Sequence, residues 1–244
     1  MLYFIIGLFS TTIGSIVGIG GGLIIRPLLA NMGTAKHLAS FTSSIVVLSM
    51  AIVTLLNYKR NGVKLDIKRI FFLTVGNILG GFAGGSFIKY VDDTFINIAY
   101  IFMLVLILVS VIFREKLPKI KVTNPFLAVF IGIITGGLSG FFGIGGGPFQ
   151  VTALIIFFAL NPKEAAVDSI FITFFTTISS LAKYTIDGYM DFSLGKYMIP
   201  AAIIGGYIGS TINRKISEKR VAHIFNISVF AIIINQVVVL IAGK

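Results

Sequence analysis

Gly18-Ile19-Gly20-Gly21-Gly22 and Gly143-Ile144-Gly145-Gly146-Gly147 are the same five residues, 125 positions apart in a chain of 244. Each copy lies inside a long apolar stretch. Backbone that leaves a helix is costly in hydrocarbon, because no water is present to hydrogen-bond its N–H and C=O groups. A glycine-rich break that occurs once in each half of such a chain is typical of a transporter whose binding site lies between two repeats.

The composition predicts an all-α polytopic membrane protein. Hydrophobic residues make up 56% of the chain and charged residues 12%, and the mean hydropathy is +0.99. A soluble domain carries about twice that charged fraction. Apolar runs of about 20 residues, the length of helix that spans a bilayer, recur along the chain. We therefore expect lipid to surround the protein and no soluble domain with a core of its own.

The charged and metal-binding residues exclude several other classes of protein. The net charge is +11, but the basic residues lie in short loops, where the positive-inside rule places them. Nucleic-acid binding requires a clustered basic face, so no nucleic-acid partner is expected. The chain has no cysteine, two histidines and nine scattered carboxylates, so we expect no metal site and no cofactor.

Ten apolar segments are expected to be helices. They run over residues 1–17, 23–31, 38–56, 70–90, 95–113, 125–142, 148–160, 162–184, 194–213 and 221–242. Asn124-Pro125 and Asn161-Pro162 each place a capping Asn before a Pro at the first helical position, and Glu164 completes a capping-box pattern. Ridges of small residues at 76–84 and 201–209 predict close helix packing.

Two of these segments are too short to span a membrane. Residues 23–31 and 148–160 would be about 13 and 20 Å long as helices, so each is interpreted as a half-helix that follows a glycine loop. Helix N-termini and glycine-rich backbone favour anions. The predicted substrate-binding glycines are Gly20, Gly21, Gly22, Gly145, Gly146 and Gly147. The alternative is that these glycines only allow helices to pack closely.

The repeat extends beyond the glycine motifs. With an offset of 125 or 126, Ser43 matches Ser169, Tyr58 matches Tyr184, and Gly62 matches Gly188. This ordered series indicates a duplication, with one repeat at residues 1–122 and the other at residues 123–244.

The charges of equivalent loops are reversed between the halves. The loop at 59–69 has five basic residues against Asp66, whereas its equivalent at 183–196 is near neutral. The loop at 89–93 has one basic residue, Lys89, and two acidic residues, Asp92 and Asp93. The equivalent loop at 214–220 is strongly basic. Basic loops face the cytoplasm, as does the loop at 114–121 in this arrangement. We therefore expect two inverted repeats in the cytoplasmic membrane, each with a re-entrant hairpin and three spans. Eight plain spans in parallel halves would violate the charge rule.

Polar residues in the second half predict a lined pathway. Ser169, Thr173, Thr176, Thr177 and Ser180 lie on one face of a helix, where they can bind an anion or hold helices together. Their equivalents in the first half are apolar apart from Ser43 and Thr54, so the pathway would be asymmetric.

Two ionisable residues are predicted to lie inside the membrane. Asp168 is predicted to be a proton-coupling carboxylate or, alternatively, an interfacial Asp near a helix start. Arg26 could contact the substrate, pair with Asp168 or reach the interface. Gln150, Thr152 and Asn77 are weaker candidates for substrate contact.

The chain resembles the sulfite exporter TauE/SafE family, also called TSUP. The resemblance rests on Gly20-Gly21-Gly22 followed by Pro27, on Phe41-Thr42-Ser43-Ser44, and on the second glycine motif. It implies transport of sulfite, thiosulfate, an organosulfonate or a related anion, often as proton-coupled export. Thr152 replaces the second proline, and Arg26 stands at a position expected to be apolar.

Three rival functions are a passive anion channel, a membrane scaffold that transports nothing, and an intramembrane enzyme. The enzyme lacks support, because no His–carboxylate cluster, no cysteine and no Ser with a nearby basic partner is evident. The sequence leaves open the substrate, the direction of transport, the coupling ion and whether the protein forms a homo-oligomer.

Overall fold

In a computed structural model that describes residues 1–87, 90–113 and 120–241, the chain forms ten α-helices and no β-strand in those ranges. The all-helical prediction is therefore confirmed. Lys89 and the basic loop residues from Arg114 to Lys119 lie outside the described residues. The helices are α1 Leu2–Val17, α2 Gly22–Asn31, α3 Lys36–Arg60, α4 Ile67–Gly85, α5 Asp93–Ile112, α6 Pro125–Phe142, α7 Gly147–Phe157, α8 Pro162–Ile186, α9 Gly195–Lys215 and α10 Glu218–Ile241.

Two helices end earlier than predicted. α4 ends at Gly85 rather than at residue 90, after two successive glycines, which are weak helix formers. α7 ends at Phe157 rather than at residue 160 because Ala159 adopts a φ of 54°. The Leu160 N–H then donates to the Leu154 carbonyl at 3.2 Å, which closes the helix terminus.

The predicted helix starts at the two Asn-Pro pairs are confirmed. The Asn124 side chain accepts from the backbone N–H groups of Phe126 and Leu127 at 2.9 and 3.3 Å. Asn161 and Glu164 form a complete capping box at the start of α8. Each cap satisfies N–H groups that the helix itself leaves without partners.

The surface and the interior are those of a multi-pass membrane protein. Four helices are long and apolar enough to cross a bilayer: α3, α6, α8 and residues Glu218–Val238 of α10. Large apolar side chains such as Phe102, Phe126 and Phe130 are more than half exposed, whereas many Ser, Thr, Asn and Gln side chains are buried. Apolar side chains outside and polar side chains inside suit a protein surrounded by lipid. A soluble protein has the opposite arrangement, with its apolar side chains buried in a core.

Glycines allow two pairs of helices to pack closely, as predicted. Along α4, a Cβ on Gly76 would collide with the Val129 carbonyl of α6, and one on Gly84 with the Gly137 carbonyl. Along α9, a Cβ on Gly209 would likewise collide with the Thr12 carbonyl of α1. Each interface thus joins a helix of one half to the first helix of the other half.

Several contacts place one set of loops at the same end of the bundle, here called the basic end. Arg69 at the start of α4 pairs with Asp168 near the start of α8 at 2.6 Å. The Lys163 ammonium donates to the carbonyl of Ile216, between α9 and α10, at 2.7 Å. The Val122 N–H donates to the carbonyl of Phe157 at 2.8 Å, so the α6–α7 hairpin begins and ends at the basic end.

A second set of contacts defines the opposite end. The Lys36 ammonium, at the start of α3, donates to the Val91 carbonyl before α5 at 2.6 Å. The His37 and Tyr189 rings lie 4.8 Å apart, which places the α8–α9 loop at this end as well. The start of α3 therefore packs against the end of α8, and these two long central helices are antiparallel.

Candidate functional site

The two glycine loops meet in the middle of the protein. A Cβ on Gly22 would collide with the Ile144 carbonyl, and one on Gly147 with the backbone of Ile19. The Ile19 and Ile144 side chains are fully buried. Each loop therefore packs directly on the loop of the other half, and only glycine fits at the contact.

The loops have matching backbone conformations. Gly20 and Gly21 have φ angles of 79° and 75°, and their counterparts Gly145 and Gly146 have angles of 73° and 92°. This left-handed region is open to glycine and strained for other residues. Gly21 and Gly146 are also the N-cap residues of α2 and α7, and neither helix is capped by a side chain. The positive ends of two half-helix dipoles thus lie at the centre without an anionic cap.

The middle turns of α3 and α8 enclose the two loops. The Ser169 hydroxyl donates to the Gly18 carbonyl at 2.9 Å, and the Ser43 hydroxyl lies 3.5 Å from the Gly22 carbonyl. Val47 touches both loops, since its methyl groups would meet a Cβ on Gly20 at 3.1 Å and one on Gly145 at 2.8 Å.

Gln150, in the first turn of α7, is the centre of a buried polar network. Its side-chain oxygen accepts from the Thr173 hydroxyl at 2.6 Å. Its amide nitrogen donates to the Asn77 side-chain oxygen at 3.0 Å and to the Thr176 hydroxyl at 3.1 Å. Thr135 also donates to Asn77 at 3.3 Å. Gln150 thus joins α7 to α4 and α8, and Asn77 extends the network to α6.

Three buried residues beside the loops have hydroxyl groups with no hydrogen-bond partner within the described part of the chain: Ser10, Ser40 and Thr177. Ser40 packs against Gly143, and the Thr177 hydroxyl would meet a Cβ on Gly145 at 3.4 Å. A buried hydroxyl without a partner costs free energy, so such groups mark a place where a polar ligand or water would be stabilised.

The polar lining is one-sided, as the sequence pattern predicted. The positions equivalent to Gln150, Asn77 and Thr176 in the other half are Ile25, Ala202 and Met50, which belong to one buried apolar cluster. The hydrogen-bonded polar network therefore lies on the α4, α6, α7 and α8 side.

The two ionisable candidates lie apart from each other. Asp168 pairs with Arg69, not with Arg26. Arg26 is 2% exposed and lies in the neighbourhood of the Tyr100 and Tyr184 side chains. Tyr184 lies near the end of α8, whereas Asp168 lies near its start, so the two charges are on opposite sides of the glycine loops.

The structure thus brings together most of the candidates. The glycines 20–22 and 145–147 meet, and Ser43, Ser169, Thr173 and Gln150 surround them. Thr152 does not join them. It lines a separate crevice of about 160 Å³ together with Met103 of α5 and Thr135 of α6.

Sequence reasoning missed Ser40, Val47 and Arg69 as parts of this region. Ser40 and Val47 are seven residues apart and so lie on one face of α3, but an apolar helix pattern does not distinguish such a face from core packing. Arg69 was counted only as one of the loop charges, and no local signal points from it to a residue 99 positions away. Within the described residues, no three His, Asp or Glu side chains lie close enough together to hold a metal ion.

The similarity to known proteins agrees with this architecture. The chain is 27% identical to "Probable membrane transporter protein YunE" of Bacillus subtilis, over 91% of this chain and 92% of that protein. It is 29% identical to "Probable membrane transporter protein MJ0441" of Methanocaldococcus jannaschii, over 89% and 88%, and 28% identical to a "Probable membrane transporter protein" of Xylella fastidiosa, over 96% and 90%. No solved structure matches the chain.

These relatives are named as membrane transporters and not as enzymes. The family model described as "Sulfite exporter TauE/SafE" matches residues 3–235, nearly the whole chain. The chain therefore belongs to the sulfite exporter TauE/SafE family.

Proposed function

We propose that this protein is a secondary transporter that moves a small sulfur-containing oxyanion across the cytoplasmic membrane. The observation that carries the proposal is the meeting of two half-helix N-termini, without side-chain caps, among buried hydroxyls that have no partner. Membership of the sulfite exporter family supports sulfite, thiosulfate or an organosulfonate as the class of substrate.

The chemistry of the site suits an oxyanion. Its several oxygens accept hydrogen bonds from hydroxyls and backbone N–H groups, and its charge interacts favourably with the positive ends of α2 and α7. Thr177 and Ser40 provide hydroxyls beside the two loops. Gln150 and Thr173 form the wall on the polar side.

The chain directions support two inverted repeats, residues 1–122 and 123–244. The α3–α4 loop lies at the basic end through Arg69, whereas the equivalent α8–α9 loop lies at the opposite end through Tyr189. The strongly basic loop between α9 and α10 lies at the basic end, like the α3–α4 loop, because Lys163 at the start of α8 donates to its Ile216 carbonyl. By the positive-inside rule, the basic end faces the cytoplasm.

Alternating access would follow from rocking of one repeat against the other around the fixed glycine loops. Asp168 is proposed as the proton-coupling carboxylate. It is 2% exposed, and its environment includes Arg69, Asp66 and Glu164, with Lys163 and Lys64 on the same cavity wall. Loss of its charge on protonation would weaken its pairing with Arg69 and so link the proton to the conformation of the basic end.

Flux measurements in liposomes test this proposal. We expect saturable, pH-gradient-sensitive movement of sulfite or thiosulfate by the purified protein, and loss of the gradient effect in Asp168→Asn. Thr177→Val should reduce flux about tenfold, since a hydrogen bond to a charged group contributes about 1.5–3 kcal/mol. The matched control is Thr12→Val, because the Thr12 hydroxyl only bonds the Leu8 carbonyl of its own helix at 2.7 Å.

The rival functions give different results in the same vesicles. A passive channel would show flux without counterflow and far above carrier rates. A scaffold would be folded and would move none of sulfite, thiosulfate, sulfate and taurine under any gradient. Either result would refute the proposed function.

A further inference from the structure

Two adjoining cavities open at the basic end, outside the glycine site. Their volumes are about 750 and 520 Å³. Asp66, Arg69 and Glu164 line both, so the two form one vestibule with Arg69 between its parts. Either part is larger than a small oxyanion requires.

The vestibule carries an excess of positive charge. Its walls include five cationic side chains, those of Lys64, Lys68, Arg69, Lys121 and Lys163, against the three carboxylates of Asp66, Glu164 and Asp168. The first turns of α4, α6 and α8 also reach it, and their dipoles add partial positive charge. A concave region with one prevailing sign of charge concentrates ions of the opposite sign.

Arg69 has donors to spare. Its Nη2 donates to Asp168 Oδ2 at 2.6 Å. Its Nε is buried and has no hydrogen-bond partner within the described ranges. The Arg69 side chain is 30% exposed, whereas that of Asp168 is 3% exposed. The guanidinium therefore holds a buried carboxylate on one side while part of it faces the vestibule.

We propose that Arg69 forms an anion-binding site in this vestibule, distinct from the glycine loops, and that an oxyanion competes with Asp168 for the guanidinium. A planar guanidinium binds tetrahedral and pyramidal oxyanions through two parallel hydrogen bonds. An anion that takes Nη2 from Asp168 can gain this geometry with a neighbouring donor of the same guanidinium. The class of ligand, a sulfur oxyanion, rests on the proposed function.

The site lies next to the first glycine loop along α8. Ser169, the residue after Asp168, donates to the Gly18 carbonyl. One turn deeper, the fully buried Leu73 and Ile172 side chains lie between the ion pair and the network of Gln150. The vestibule site is thus an entry or exit site on the cytoplasmic side, separated from the centre by an apolar layer.

The experiment reads occupancy of the vestibule alone. The chain has no cysteine, so Thr123→Cys, in the wall of the larger cavity, can carry an environment-sensitive thiol dye. The labelled, otherwise intact protein in detergent is titrated with sulfite, and with sulfate as a second probe. The titration does not measure flux, so a negative result for this binding site is distinguishable from a failure of the proposed transport.

Substitutions of Arg69 and Asp168 are expected to have opposite effects on sulfite binding. Arg69→Gln should raise the half-saturating sulfite concentration at least about tenfold, whereas Asp168→Asn should lower it about fivefold, because a competitor is removed. Glu164→Gln removes a carboxylate from the same vestibule but keeps a capping-box residue. It should have a clearly smaller effect than Asp168→Asn. Lys196→Gln, at the opposite end, should leave the titration unchanged.

Several results would overturn the proposal. These are an unchanged titration in Arg69→Gln, weaker binding in Asp168→Asn, or an effect of Glu164→Gln equal to that of Asp168→Asn, which would reveal only general electrostatics. If Arg69→Gln does not fold, Arg69→Lys serves instead. It keeps the charge but loses the two-point geometry, and it should still raise the half-saturating concentration.

Discussion

Replacing Gly22 by Ala tests whether the contact between the two glycine loops is required. A Cβ at Gly22 would lie 2.7 Å from the Ile144 carbonyl carbon and 2.9 Å from the Ser43 hydroxyl oxygen. Ordinary contact begins at 3.4 Å, so the loops must separate by at least about 0.7 Å, the difference between 3.4 and 2.7 Å. Rotation of a side chain cannot relieve this overlap, because the obstructing group is backbone.

Overpacking of this kind costs about 1–3 kcal/mol. At about 2–4 °C per kcal/mol for a chain of this size, we expect the melting temperature of purified Gly22→Ala in detergent to fall by about 2–12 °C. Flux in liposomes should fall at least about tenfold, since a displacement near 1 Å at a binding centre already costs orders of magnitude in rate.

Gly137→Ala is the matched control for this substitution. It makes the same chemical change inside α6, where the nearest atom to the new Cβ is the Gly80 carbonyl oxygen at 3.8 Å. It should be neutral or stabilising by up to about 1 kcal/mol. If Gly22→Ala melts and transports like Gly137→Ala, the loops do not need their close contact, and the reasoning about the site fails.

Two further predictions follow from matched pairs of residues. Tyr184→Phe should destabilise the protein by about 1 kcal/mol, because the buried Tyr184 hydroxyl donates to the Gly140 carbonyl at 2.6 Å. Tyr58→Phe should be neutral or stabilising, since the buried Tyr58 hydroxyl has no partner among the described residues; equal melting temperatures would contradict this. In the cysteine-free chain, Lys64→Cys should react with an impermeant thiol reagent only from the cytoplasmic side, and Asp191→Cys only from the opposite side. Reaction of both from one side would rule out inverted repeats.

The sequence was most informative where structure is determined locally. Asn161 and Glu164 form the capping box that their spacing predicted, because a helix cap depends on residues within one turn. Ser169, Thr173 and Thr176 face the centre together because the period of an α-helix places them on one side.

Other contacts of the site could not be predicted in this way. α7 is apolar nearly all round, so its sequence does not reveal which face points to the centre. Thr152 therefore looked as good a candidate as Gln150, two positions earlier, although it lines the crevice beside α5. Asp168 was singled out from the sequence as an ionisable residue within a helix, and it is buried, but its partner was open until the fold placed Arg69 beside it.

The sequence by itself determined that the protein lies in a membrane, that it contains two copies of one glycine-tipped helical pattern, and where α6 and α8 begin. These properties depend on hydropathy, internal repetition and local hydrogen bonding, all of which can be read along the chain. Only the tertiary structure decided that Gly22 packs on Ile144, that Gln150 of α7 bonds side chains of α4 and α8, and that Arg69 holds Asp168. Such contacts depend on the relative rotation and depth of helices far apart in the chain, and long-range packing sets these.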